Sequence, residues 1–358
     1  MKQPQPDFDR LLTVFRRDHL PDRLPFYEYF HDNEIVSAVL GEKIEARKLD
    51  SPREQLETYY RQRVEFMQKM GYDYVGCTVG ANLNIQKLKA DDTALLARAQ
   101  REWINDSHGV IETWADYEAY PWPDPAKISS LPLEVCSALL VDGMKIVANP
   151  PGGVLENVMW LMGYMPMSYA LVDQLGLVEA MFERCGELIL AAVEIEAQSD
   201  AVGAIMLADD LGFKTATLVH PNLLRKHCFP WYKKMAEIVH AHGKFFGLHA
   251  CGNISQVVED LIGVPFDAKH SYEDIIMPVT EFKFQYGSRI GVLGGIDMHV
   301  LASASEDEVR VFTRKVIEAC MPGGGWALGS GNSLANYIPI RNFLAMLDEG
   351  WKCGWYQR

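Results

Sequence analysis

The 358-residue sequence predicts an α/β protein of the (β/α)₈ (TIM) barrel class. Three observations carry that expectation. Eight short apolar runs recur along the chain. Helix-period stretches separate the later ones. Polar residues trail the runs at the places where a barrel carries its active site.

The eight candidate strands are 24–28, 73–77, 145–149, 204–208, 244–248, 266–270, 290–294 and 325–329. Several are nearly continuous apolar runs, as expected for parallel strands covered on both faces. An open doubly wound sheet is the competing arrangement. Residues 8–18 read as a short helix, forming an N-terminal helical extension. Ser51-Pro52-Arg53-Glu54 reads as a helix start, with Ser51 as cap and Pro52 at the first position. The helix from there to about Met70 places Leu56, Tyr60, Val64 and Met67 on one face. In 306–320 the stripe is Val309, Phe312, Val316, Ile317 and Cys320. The glycine run 323–325 precedes a strand and reads as a tight turn at the bottom of the barrel, not as a phosphate loop.

Residues 100–135 fit the alternation poorly. Trp103, Trp114, Tyr117, Tyr120 and Trp122 sit among prolines, an aromatic-rich insertion between strands two and three. These rings form a lid over the pocket, or they pack the excursion onto the barrel. No repeat or long linker divides residues 1–358, so one barrel domain is expected.

The hydrophobic content of 48% and charged content of 23% are those of a globular protein. A net charge of −14 argues against nucleic acid or an anionic membrane as partner. The opening MKQPQPDFDR has no apolar stretch of a signal peptide, and no run reaches the roughly 20 apolar residues of a membrane span. A cytoplasmic protein with reduced thiols is therefore expected. Seven irregularly spaced cysteines are not a disulfide framework.

The strand ends hold the candidate chemistry. Asp209 and Asp210 follow strand four, and adjacent carboxylates point in different directions. One faces the cavity as a general acid or base, and the other pairs with Lys214 or caps a helix. His249 and Cys251, two apart at an extended strand end, can reach one point as metal ligands. Glu273 after strand six closes on the same ion, or His270 does. Without metal, Cys251 packs against the barrel and His249 meets substrate directly. Asp297 follows a Gly-Gly turn and serves the reaction or caps the next helix. Asn253, Tyr272, Asn332 and Lys214 are the candidate substrate contacts.

The phrases DRLPFYEYF, MGYDYV, LADDLGFKT, HPNLLRKHCFPWYKKM, LHACGNI, VLGGIDMHVL and GSGNSLANYIPIRNFLAML resemble, in order and spacing, the uroporphyrinogen decarboxylase superfamily. The resemblance runs from about residue 20 to residue 350. It implies the barrel fold and one of two chemistries. The first is metal-free decarboxylation of a carboxylated substrate, as in porphyrin biosynthesis. The second is methyl transfer between a corrinoid protein and a thiol, with Zn²⁺ activating the thiol. True decarboxylases carry an arginine-rich stretch after the first strand. Here Phe26 to Asp32 has no arginine and two acids, which argues against decarboxylation of a tetrapyrrole with many carboxylates.

The methyltransferases of the superfamily carry His-x-Cys after strand five, matched by His249 and Cys251, and a further Cys after strand eight. Asn332 stands at that last position. Glu273 resembles the zinc-binding glutamate of cobalamin-independent methionine synthases. The expected function is zinc-dependent methyl transfer, with Zn²⁺ on His249, Cys251 and Glu273. Asp209, Asp210, His270 and Asp297 serve as catalytic or orienting groups. A metal-free decarboxylase and a non-catalytic corrinoid or tetrapyrrole carrier are the alternatives. The implied partners are a small-molecule substrate, a corrinoid protein and a second copy of the chain as a homodimer.

Overall fold

The computed structural model describes residues 5–96, 98, 100–105 and 107–356. Seven parallel strands form one curled sheet in the order β1-β4-β5-β6-β7-β8-β9. They are β1 (Tyr74–Thr78), β4 (Lys145–Asn149), β5 (Val202–Ala208), β6 (Phe245–His249), β7 (Ala268–His270), β8 (Gly291–Leu293) and β9 (Trp326–Ala327). Helices connect successive strands and cover the outer face, giving a TIM-barrel-like architecture. Each of the seven lies within a predicted strand or overlaps it closely.

The first predicted strand, 24–28, differs. It forms a single parallel bridge, Phe26 to Leu328. Tyr27 N–H donates to the Leu328 carbonyl at 2.8 Å, and Leu328 N–H donates to the Pro25 carbonyl at 2.9 Å. Pro25 has no N–H to continue a ladder. On its other side, among the described residues, this segment meets β1 through a side chain. The Tyr74 hydroxyl accepts from Glu28 N–H at 2.8 Å and donates to the Glu28 carbonyl. Backbone pairing thus laces seven joints of the ring, and a phenol makes the eighth.

Helix Asp9–Arg16 is packed under the sheet. Leu11, Val14 and Phe15 are buried, and Phe15 stacks on Phe245 at 5.4 Å. Its neighbour Phe8 fills the space left by Gly203 at the start of β5. Helix Arg53–Met70 buries Leu56, Tyr60, Val64 and Met67 as the periodicity predicts. It starts one residue after Pro52, and the Ser51 hydroxyl accepts instead from Lys48 N–H at 2.9 Å. Helix Glu306–Cys320 has the Ser305 capping box and buries Val309, Val316, Ile317 and Cys320. The three glycines 323–325 all have φ near +70° and make the tight turn into β9.

The insertion between β1 and β4 holds an antiparallel hairpin, β2 (Lys87–Asp91) with β3 (Gln100–Ile104), and helix Trp114–Ala119. Its Tyr120 and Trp122 pack on their neighbours, whereas Trp114 is exposed. The Tyr120 hydroxyl accepts from Asn84 N–H at 2.7 Å, Trp122 lies 4.7 Å from Tyr120, and Arg184 stands over the Trp122 ring at 5.7 Å. Trp103 lies on exposed β3. Among the described residues, no helix is long and apolar enough to cross a membrane.

Candidate metal centre

The carboxyl ends of β5, β6 and β7 bring Asp210, His249, Cys251 and His270 together. One ligand atom from each of Asp210, His249 and Cys251 lies within 4.8 Å of the other two. His249 is the last residue of β6, and Cys251 follows two residues later on the same face. His249 Nε2 is 3.4 Å from Cys251 Sγ, and Cys251 N–H donates to Asp210 Oδ1 at 3.2 Å.

Cys251 Sγ collects two further donors. Asn332 Nδ2 lies 3.2 Å from it and the Ser271 hydroxyl 3.4 Å. The Ser333 hydroxyl donates to Asn332 Oδ1, which turns the amide nitrogen toward the sulfur. Burial pushes the Cys251 thiol up, and the Asp210 charge adds to it. Burial pushes His249 down to about 4, so its imidazole is neutral near pH 7. A neutral imidazole, a carboxyl group and a thiol form a donor set that fits a zinc-like ion.

The surrounding groups fix this arrangement. His249 Nδ1 lies 2.7 Å from His270 Nδ1. His270 is fully buried, and burial followed by the His249 and Lys269 charges holds it well below the usual imidazole range. Its Nε2 is buried beside the Ser330 backbone with no hydrogen bond within 3.5 Å among the described residues. Tyr29 stacks on His249 at 4.5 Å. Glu156 lies beside Asp210; burial, then the Asp210 and Asp209 charges, push its carboxyl well above the usual carboxylate range.

The two adjacent aspartates take separate roles. Asp209 is fully buried and turned away from the group of Asp210, His249 and Cys251. Its oxygens accept from the N–H groups of Leu155 (2.9 Å) and Glu156 (2.8 Å) and from the Tyr232 hydroxyl (2.5 Å). Helix Val154–Met162 begins after Gly153, which has no side chain to cap it, so Asp209 supplies the cap from another strand. A Cβ at Gly153 would overlap the Asp209 carboxyl. Burial raises Asp209 to about 6 against the pull of these donors.

Asp297 caps helix Met298–Ser303, accepting from His299 and Val300 N–H. Its charge, after burial, helps raise Asp274 to about 6. Glu273 lies outside the group of three and accepts from Gly252 N–H at 3.3 Å. It lines a neighbouring cavity of about 180 Å³ with Asn253, Tyr272 and Lys269. Asn253 Oδ1 accepts from Ser255 N–H and hydroxyl. The Tyr272 hydroxyl donates to the Lys269 carbonyl. Lys214 is exposed and forms no ion pair with either aspartate among the described residues.

Several residues of the site had no distinct signal in the sequence. Lys269 reads as an ordinary strand residue, and it is the middle residue of β7, with its side chain buried against Tyr272 and Phe282. Its ammonium donates to the carbonyls of His270 and Ser271, and burial lowers it to about 7. This clamp holds Ser271 at φ +79°, a left-handed backbone that non-glycine residues rarely adopt. Glu28 was legible only as a repulsive acid. It is buried, accepts from Ser330 N–H and hydroxyl, and is raised to about 8 by burial, so it is neutral near pH 7. Glu156 had only its helix-start position, three residues after Gly153.

A methyltransferase from Methanosarcina mazei is similar in structure, with a TM-score of 0.71, 15% identity, and 96% of this chain covering 97% of that one. A Listeria monocytogenes protein assigned as a vitamin-B12-independent methionine synthase aligns at a TM-score of 0.47 and 12% identity, over 93% of this chain and 98% of that one. A xylose isomerase-like TIM barrel protein from Mycobacterium smegmatis aligns at 0.41 and 12%, over 92% and 97%. The fold comparison rests on the first of these. No curated protein matches the sequence. The family description uroporphyrinogen decarboxylase (URO-D) matches residues 155–350, more than half of the chain and every strand from β5 to β9. With the ordered strand ends of that region converging on one centre, the chain belongs to the uroporphyrinogen decarboxylase (URO-D) family.

Proposed function

We propose that this protein is a zinc-dependent methyltransferase that moves a methyl group from a corrinoid protein to a small thiol. One observation carries the reading: Asp210, His249 and Cys251 present three metal-ligand atoms within 4.8 Å at the carboxyl ends of two neighbouring strands. The similarity to the Methanosarcina methyltransferase supports it at the level of fold.

The ion would be held by Asp210, His249 and Cys251, with Asn332 and Glu273 beside them. When bound, zinc lowers the pKa of an acceptor thiol and favours its thiolate. The chain's own residues do the rest. His270 orients His249, Asn332 and Ser271 donate to the Cys251 sulfur, and Tyr29 covers one face of His249. In the overall reaction sulfur gains the methyl group, the corrinoid cobalt keeps the bonding electrons, and the thiol proton is released.

The test is metal analysis of protein purified without added zinc, followed by thiol-dependent demethylation of methylcobalamin. About one zinc per chain is expected, lost with activity in Cys251→Ala. Protein without stoichiometric metal that is inert after zinc addition removes this reading. The metal-free decarboxylase alternative is met by the same preparation incubated with uroporphyrinogen, where no turnover is expected.

A further inference from the structure

Two arginines line a cavity beside the candidate metal centre and have no counter-charge. The cavity holds about 350 Å³ between the first chain segment, the carboxyl ends of β1 and β4, and helix Arg53–Met70. Arg47 and Arg63 both stand over the Tyr59 ring, 5.5 and 5.1 Å from its centroid. Arg63 donates to the Tyr59 hydroxyl, the His31 carbonyl and Asn33 Oδ1, all neutral acceptors. Among the described residues neither arginine forms an ion pair, whereas Arg10, Arg23, Arg98 and Arg310 each do.

Two guanidinium groups sharing one ring repel each other, and partial burial strengthens the repulsion. A chain with net charge −14 has acids to spare, yet none is placed between them. Glu28 lines the same cavity, but its carboxyl is committed to Ser330. Tyr29 lines the cavity and stacks on His249, so cavity and metal ligands lie on two sides of one side chain. Phe30, His31, Tyr59 and Arg63 also border a wider outer groove, which gives the cavity an entrance.

From this juxtaposition we infer that the Arg47–Arg63 cavity binds the anionic end, a carboxylate or a phosphate, of the small molecule that reacts at the Asp210–His249–Cys251 centre. The inference rests on the proposed function only for where the other end of that molecule lies. Planar guanidinium groups bind either anion in bidentate fashion.

The test titrates the full chain, stripped of metal, with succinate, with inorganic phosphate and with uncharged succinamide, by calorimetry at low ionic strength. Saturable binding of at least one anion and none of succinamide is expected. The tighter anion identifies the chemical class. Arg47→Met and Arg63→Met each weaken binding by at least about tenfold, Arg47→Lys weakens it less, and Cys251→Ser leaves it unchanged. If a variant fails to fold, wild-type protein is treated with phenylglyoxal, and the anion is expected to slow modification of Arg47. No binding of either anion, binding unchanged in both Met variants, or no protection of Arg47 overturns the inference. The titration uses metal-free protein, so its failure and a failure of the metal analysis are read separately.

Discussion

His249 and His270 meet nitrogen to nitrogen, with their Nδ1 atoms 2.7 Å apart on paired positions of adjacent parallel strands. Burial keeps both rings neutral, so a single proton lies between them. When His249 carries that proton on Nδ1, its Nε2 lone pair faces Cys251 and Asp210. His270 is then a positioning residue that sets the tautomer of a proposed metal ligand. His270→Phe should weaken zinc affinity about 10–100-fold in competition with a chelating dye, with partial rescue by His270→Gln. Equal affinity in wild type and His270→Phe would remove the orienting role.

Asn332 Nδ2 lies 3.2 Å from Cys251 Sγ, beside the proposed metal centre. Asn332→Cys should tighten zinc binding by at least about tenfold, since a thiolate is a far better ligand than a neutral amide. The cobalt-substituted variant should also gain sulfur-to-metal charge-transfer absorption. A spectrum and affinity identical to wild type would show that residue 332 does not reach the ion.

Asp209 is expected to matter for stability. Asp209→Ala leaves the Leu155 and Glu156 N–H groups and the Tyr232 hydroxyl without their acceptor. Each buried orphan costs about 1–3 kcal/mol. A loss on the order of 3 kcal/mol is expected from urea unfolding, with a smaller loss in Asp209→Asn. A midpoint within error of wild type would contradict the capping role.

Glu28 should leave a signature in the pH dependence of stability. Its carboxyl is raised from an ordinary value of 4.5 to about 8 in the folded protein by burial. The native state therefore holds a proton that the unfolded chain has released. This contribution is complete below about pH 4.5 and is lost as pH rises through about 8. Glu28→Gln removes it, so the variant should gain on wild type between about pH 5 and 8.5, by on the order of 4 kcal/mol. A difference that stays constant with pH would show that Glu28 does not titrate in this window.

Much of the barrel was legible because a strand covered on both faces must be apolar throughout, as in β5 and β6. The β2–β3 hairpin was not legible. Its residues are almost all exposed, so it has no buried apolar run to mark it. The first strand was read correctly as extended chain, but Pro25 limits it to one bridge. In the site, His249 and Cys251 were legible from their spacing, because alternate residues of an extended chain face the same way. The choice between Asp209 and Asp210 was not. It depends on Gly153 leaving a helix uncapped 56 residues earlier in the chain, a tertiary fact. Lys269 was hidden for a similar reason: the carbonyls it clamps face it only because Ser271 adopts a left-handed backbone.

The phenol joint between Glu28 and Tyr74 makes the ring of strands a hoop with a clasp. Slack can enter at that clasp without undoing any amide ladder, and the clasp borders the Arg47 cavity. Tyr74→Phe opens the clasp, so the Glu28 amide should exchange with deuterium faster while the amides of β5 and β6 keep their protection. The side of the hoop beside the Arg47 cavity is then the side that can give, and the side that carries Asp210, His249 and Cys251 is held by continuous amide ladders.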